Sequence, residues 1–297
     1  MRTITLYRHG MTMGTPSNSR PKEPSKRGDV NGWSKSATRR NIAFLRSVDE
    51  NATECTTDGE LLFPIAVTLT LKHCPDTFEQ WHTLRRSFFK RIERMGLYRC
   101  HWVTEWQRRG VPHLHGAFWF PTDNTPQTNQ KTVAKVLNHW LEAAQQYQPN
   151  LSGQHVNSIY DSVGWFKYLA KHAARGVNHY QRSKENIPSG WQKTGRVWGH
   201  TGEWDLIEPE KQLISDPVYF TLRRLARSWR IADARKSTNP FRIKSARNML
   251  KHNHPEQSKL RGVSEWITYE DTLLLLDLAR AIRGQDEKII SNSDERI

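Results

Sequence analysis

The chain has 297 residues and a formal net charge of +15, from 45 Lys and Arg against 30 Asp and Glu. That length is ample for a hydrophobic core. The longest apolar runs, Leu61–Leu71 and Leu273–Leu276, are too short to span a bilayer, and three scattered cysteines (Cys55, Cys74, Cys100) suit neither a disulfide framework nor a thiolate zinc site. The excess of cations points instead to a polyanionic partner, most simply nucleic acid, in a reducing cytoplasm.

Residues 1–60 read as a basic, weakly ordered region. Thr3–Tyr7 is strand-like and Asn41–Val48 suits a short helix, but Gly14–Trp33 is rich in Ser, Pro, Lys and Gly and has little periodicity. Residues 61–205 read as the compact domain. Ile65, Val67, Leu69 and Leu71 alternate as in a half-buried strand, and Phe78–Met95 repeats Trp81, Leu84, Phe88 and Ile92 at helical spacing. Tyr98–Trp106 and Val111–Phe120 are predicted strands joined by a turn at 107–110. Gln130–Tyr147 follows as a helix, Gln154–Tyr160 as a strand and Val163–Ala174 as a helix closed by Gly176. Nine of the 12 tryptophans lie in this region, which places the core here. Residues 206–297 read as a basic helical extension, with Val218–Ile231 and Asp271–Arg283 as its helices.

The most informative segment is Pro112-His113-Leu114-His115-Gly116. On a strand, His113 and His115 share one face and Leu114 takes the other, so Leu114, Phe118 and Phe120 enter the core while both imidazoles face outward. If Arg108-Arg109-Gly110 is a three-residue hairpin loop with Gly110 left-handed, Glu105 falls opposite His113 and Val103 opposite His115. One carboxylate and two imidazoles then form a candidate site for a divalent metal, provided the register does not slip by one. Further along, Tyr168 shares a helix face with Lys171 and His172.

In order, these features are an apolar strand with Thr68-Leu69-Thr70, an acid, a His-x-His strand, and a helix with Tyr168-Leu169-Ala170-Lys171. This series resembles the HUH endonucleases, and Glu105, Arg109-Gly110, the histidine pair and Gly195-Arg196-Val197-Trp198-Gly199 are most similar to rolling-circle replication initiators of the filamentous-phage gene II type. The resemblance covers roughly residues 60–205. It implies an α+β fold, an antiparallel sheet flanked by helices with an RRM-like core. It also implies Mg²⁺ or Mn²⁺ on Glu105, His113 and His115, and attack by Tyr168 on a scissile phosphate of single-stranded DNA. The products would be a 5′-phosphotyrosyl link and a free 3′-OH primer. Lys171 would stabilise charge beside Tyr168, and Tyr160, eight residues upstream, is expected to lie off the helix.

Other readings share some of these residues. A transposase would use the same chemistry, and a regulator would keep the fold without turnover. Arg8-His9-Gly10 resembles the signature of histidine phosphatases, although no ordered helix is expected behind it. For DNA contact, Arg108 and Arg109 are candidates at the hairpin tip. Arg223, Arg224, Arg227 and Arg230 form one helix face for origin duplex DNA, within a stretch (220–262) carrying a local charge of +10. No Walker-type phosphate loop is present, so a host helicase, and a polymerase to extend the primer, are expected partners.

Overall fold

The computed structural model describes residues 2–14, 29–174, 180–236, 238–241, 243–244 and 264–294. The chain is α+β and divides into two compact units, one of Ser25–Leu206 and one of Met1–Pro24 with Ile207–Ile297.

The central unit is built on a five-stranded antiparallel sheet. Its strands are β3 (Leu62–Leu69), β4 (Arg99–Trp106), β5 (Pro112–Pro121), β6 (His155–Ser158) and β7 (Trp198–Thr201), in the order β6-β3-β5-β4-β7. Period-two alternation gives the sheet two different faces. Ile65, Val67, Leu69, Trp102, Trp106, Leu114, Phe118 and Phe120 point to one. There they pack with Trp81, Leu84, Phe88 and Ile92 of α2 (Phe78–Arg94) and with Val136 and Trp140 of α3 (Pro126–Ala143) in a single apolar cluster. Each large side chain buried here contributes roughly 1.5–3 kcal/mol. Both helices start on a threonine cap: the hydroxyl of Thr77 accepts from the Gln80 amide, and that of Thr125 from the Thr128 amide, with Pro126 in the first turn.

The opposite face carries Glu105, His113, His115 and Trp119. It packs against α1 (Lys35–Ser47) and α4 (Ser162–Ala174): Phe44 stacks on His101 and His200, and Phe166 lies against Trp119. The two helices also pack on each other. The imidazoles expected to face outward are therefore buried, because α1 and α4 cover this side of the sheet.

The second unit is an antiparallel sheet of β1 (Arg2–Tyr7), β2 (Gly10–Gly14), β8 (Glu210–Ile214) and β9 (Ser264–Glu265), in the order β8-β1-β2-β9. Ile4, Leu6, Met11, Met13 and Ile214 form its apolar face. They pack with Tyr219, Leu222 and Ala226 of α5 (Asp216–Lys236) and with Leu275, Leu276 and Ala279 of α6 (Tyr269–Asp294). The first 60 residues thus contain a hairpin and a three-turn helix, and the C-terminal region contributes strands as well as helices. The strand and helix expected at Thr3–Tyr7 and Asn41–Val48 are present in longer form, whereas the C-terminal strands depart from the sequence reading because short polar strands such as Glu210–Ile214 gain their order from sheet partners far away in the chain. Residues 15–28, the cap at Gly176 and the end of the basic stretch (245–262) lie outside the described residues.

The Arg8-His9-Gly10 motif is the turn of the β1–β2 hairpin. Tyr7 pairs with Gly10, Arg8 meets Glu270 at 3.6 Å, and a strand follows where a phosphatase would place its helix. This geometry removes the phosphatase reading.

Candidate metal centre and nucleophile

The β4–β5 hairpin sets the site. Gly110 adopts φ +77°, a left-handed conformation, and its amide donates to the Gln107 carbonyl at 2.9 Å; the Gln107 amide donates to the Val111 carbonyl at 2.9 Å. The ladder that follows pairs Glu105 with His113, Val103 with His115, and Thr68 of β3 with His115. This is the register expected from the three-residue loop.

Glu105, His113 and His115 are all buried, and one ligand atom from each lies within 4.8 Å of the others. The two imidazole Nε2 atoms are 2.6 Å apart, and Glu105 Oε2 is 3.7 Å from His115 Nε2. Nitrogens that close attract each other only through a proton or a cation between them. His115 Nδ1 lies 2.8 Å from Thr68 Oγ1, which suits the tautomer that carries its proton on Nδ1 and leaves Nε2 as the donor atom. Two imidazoles and one carboxylate on adjacent strands are a donor set that fits a divalent ion with further positions open.

Tyr168 stands over this cluster from α4. Its ring centroid is 6.4 Å from that of His115, at 77°, and Trp165 stacks on its other side at 4.8 Å and 23°. Phe166 and Leu169 anchor the helix with 0% and 1% exposure, while Tyr168 remains 38% exposed. Trp165, which stacks on Tyr168, is itself only partly buried. Lys171 lies on the same helix, but its side chain and that of His172 lie outside the described residues. Tyr160 precedes the helix and is 98% exposed.

At the hairpin tip the two arginines differ. Arg109 donates to the Lys72 carbonyl at 2.7 Å, to the Leu71 carbonyl and to Gln107 Oε1 at 2.8 Å, so it fastens the hairpin to the end of β3. The phosphate contact expected of Arg109 is set against these three bonds. Arg108 stacks on Tyr180 at 5.1 Å. On α5, Arg223 and Arg227 are half-buried and Arg224 exposed, while the Arg230 side chain lies outside the described residues.

Two residues of the site escaped the sequence reading. Arg182, fully buried, donates from Nε to Glu105 Oε1 at 2.8 Å and places Nη2 2.7 Å from the same oxygen. Burial holds its guanidinium below the usual range, and the Glu105 carboxylate opposes that shift. Trp33, also buried, lies 3.8 Å under the guanidinium, and its indole donates to the Thr104 carbonyl at 2.8 Å. No local spacing flags either residue, since each reaches β4 from more than 70 positions away. A third histidine, His101, shares the face but is spent elsewhere. Its Nε2 meets Asn41 Oδ1 at 2.7 Å, and burial, with the charges of His200 and Arg182, pushes its pKa down to about 3.

Residues 64–173 match the family model for the replication-associated protein described as ORF2 or gene II protein. The replication-associated gene II protein of Pseudomonas phage Pf3 is 46% identical over 282 residues, covering 93% of this chain and 96% of that one. A protein of Xylella fastidiosa strain 9a5c, provisionally assigned to replication, is 44% identical over 280 residues (91% and 93%), and one of strain Temecula1, assigned likewise, is 42% identical over 273 (90% and 99%). No solved structure matches the chain. With identity this high over nearly the whole length, the chain belongs to the ORF2/gene II family of replication-associated proteins, the replication initiators of filamentous-phage and plasmid type.

Proposed function

We propose that this initiator is the endonuclease that opens the origin, through attack of Tyr168 on a phosphate of single-stranded DNA. One observation carries the reading: a buried carboxylate and two imidazoles converge, and a tyrosine ring lies 6.4 Å from the nearer of them. A divalent ion held by Glu105, His113 and His115 would supply Lewis-acid polarisation of the scissile phosphate. The mixed nitrogen and oxygen donors favour Mn²⁺ over Mg²⁺, which prefers oxygen alone.

The chain's own residues do the rest. Thr68 fixes the His115 tautomer, and Trp165 holds the Tyr168 ring at the edge of the cluster. In the reaction a bond forms between the Tyr168 oxygen and phosphorus while the bond from phosphorus to O3′ breaks. The phenolic proton is lost to solvent, and the departing O3′ takes one up. A 5′-phosphotyrosyl link and a primer 3′-OH result, with Lys171 assigned to charge at the phenolate or phosphate. Arg108 is assigned to DNA phosphates near the cut, and Arg223, Arg224, Arg227 and Arg230 to the origin duplex. A host helicase and polymerase complete the scheme.

The test is a nicking assay on single-stranded origin DNA with added Mn²⁺. Wild type should give a covalent protein–DNA adduct that is lost on chelation, and Tyr168→Phe should give none. An adduct that persists in Tyr168→Phe overturns the assignment of the nucleophile, and cleavage undiminished in His113→Ala overturns the metal site.

A further inference from the structure

We infer that Arg182 is a positioning residue: it holds one oxygen of Glu105 so that the carboxylate meets the cation through the other oxygen alone. The inference rests on the metal-site reading above. An arginine paired with a carboxylate ordinarily forms a fork on a fork, one N–H to each oxygen. Here Nε and Nη2 both converge on Oε1, at 2.8 and 2.7 Å, and Oε2 is the oxygen 3.7 Å from His115 Nε2. Nothing in this arrangement is loose. Both side chains are 0% exposed, and the Trp33 ring lies 3.8 Å from the guanidinium carbon. The indole N–H is fixed to the Thr104 carbonyl at 2.8 Å, and the neighbouring Gln181 carbonyl accepts from the Trp106 amide at 2.8 Å. The guanidinium is thus clamped between an aromatic plane and a backbone bonded to β4.

The consequence lies in the coordination count. A carboxylate free to turn can give a cation both oxygens and fill two positions. With Oε1 accepting the Nε–H of Arg182 and facing the charged Nη2 at 2.7 Å, the protein supplies two nitrogens and one oxygen. An octahedral ion then keeps about three positions for water, or for oxygens of the DNA. Arg182 thereby reserves room for the scissile phosphate and a second oxygen of the substrate.

The experiment uses the full chain loaded with Mn²⁺ alone. Electron–nuclear double resonance would count histidine nitrogens by their ¹⁴N coupling and bound water with ¹⁷O-labelled solvent. Wild type should show two histidine nitrogens and about three waters, and Arg182→Met about two waters, because the released carboxylate chelates. A wild-type count of about two waters with both nitrogens present overturns the role of Arg182 and leaves the metal site standing, as does an Arg182→Met count equal to that of wild type. Loss of both nitrogen couplings in wild type overturns the site and the inference together. If Arg182→Met does not fold, the wild-type count decides alone.

Discussion

Single atoms decide the chemistry proposed for this chain. The hydroxyl of Thr68 is one of them: it sits 2.8 Å from His115 Nδ1 and so directs Nε2 toward Glu105 and His113. Thr68→Val keeps the shape of the side chain and removes that partner. Mn²⁺ affinity, followed by calorimetric titration, should fall by about 10- to 100-fold, the usual cost of losing an outer partner of a metal-bound histidine. At this scale the sequence was legible where chemistry and spacing coincide. His113 and His115 declare themselves by alternation, and Tyr168 by its place on an amphipathic helix. Arg182 and Trp33 do not. An arginine between Gln181 and Ser183 carries no pattern, and its importance comes only from the carboxylate it reaches across the fold.

The element that carries the site is the β4–β5 hairpin, and its register depends on Gly110. At φ +77° any side chain is strained, so Gly110→Ala should destabilise the protein by about 1 kcal/mol in urea denaturation. A slip of one residue would turn Glu105 to the α2–α3 face, so Mn²⁺ affinity should weaken in the same variant. Arg109 guards the same register from outside through its bonds to the carbonyls of Leu71 and Lys72. The hairpin could be read from sequence because its loop length, glycine and alternation agree. Strand β8 resisted such reading for the opposite reason. It is short and half polar, and its pairing of Leu213 with Thr3 of β1 joins residues 210 positions apart.

At the scale of the whole molecule, two properties follow from charge and burial. His101 is buried and neutral, with its pKa pushed to about 3 against an ordinary value near 6.5, and His200 beside it is also lowered by burial. Protons therefore bind the unfolded chain more readily than the folded one. Stability is fully present above about pH 6.5 and declines as pH falls toward 3, by up to about 1.4 kcal/mol per unit for His101. Urea midpoints measured between pH 7.5 and 5 should drop accordingly, and His101→Gln should flatten the slope. The net charge of +15 predicts binding to DNA that weakens steeply with salt. Replacing Arg223, Arg224 and Arg227 together by alanine should reduce the slope of log affinity for origin duplex against log salt by about one per arginine that contacts phosphate. An unchanged slope would remove α5 from the DNA contacts. Among the described residues no helix is long and apolar enough to cross a membrane.

The interrupted unit also has a consequence for synthesis. Its strands β1 and β2 are made before the rest of it, but their partner β8 and the helices that cover Ile4, Leu6, Met11 and Met13 come from beyond residue 207. The unit that carries the candidate metal centre, Ser25–Leu206, is synthesised in the meantime. Translation thus supplies all of Ser25–Leu206 before β8, α5 and α6, so the residues that cover the apolar side of the β1–β2 hairpin are made last.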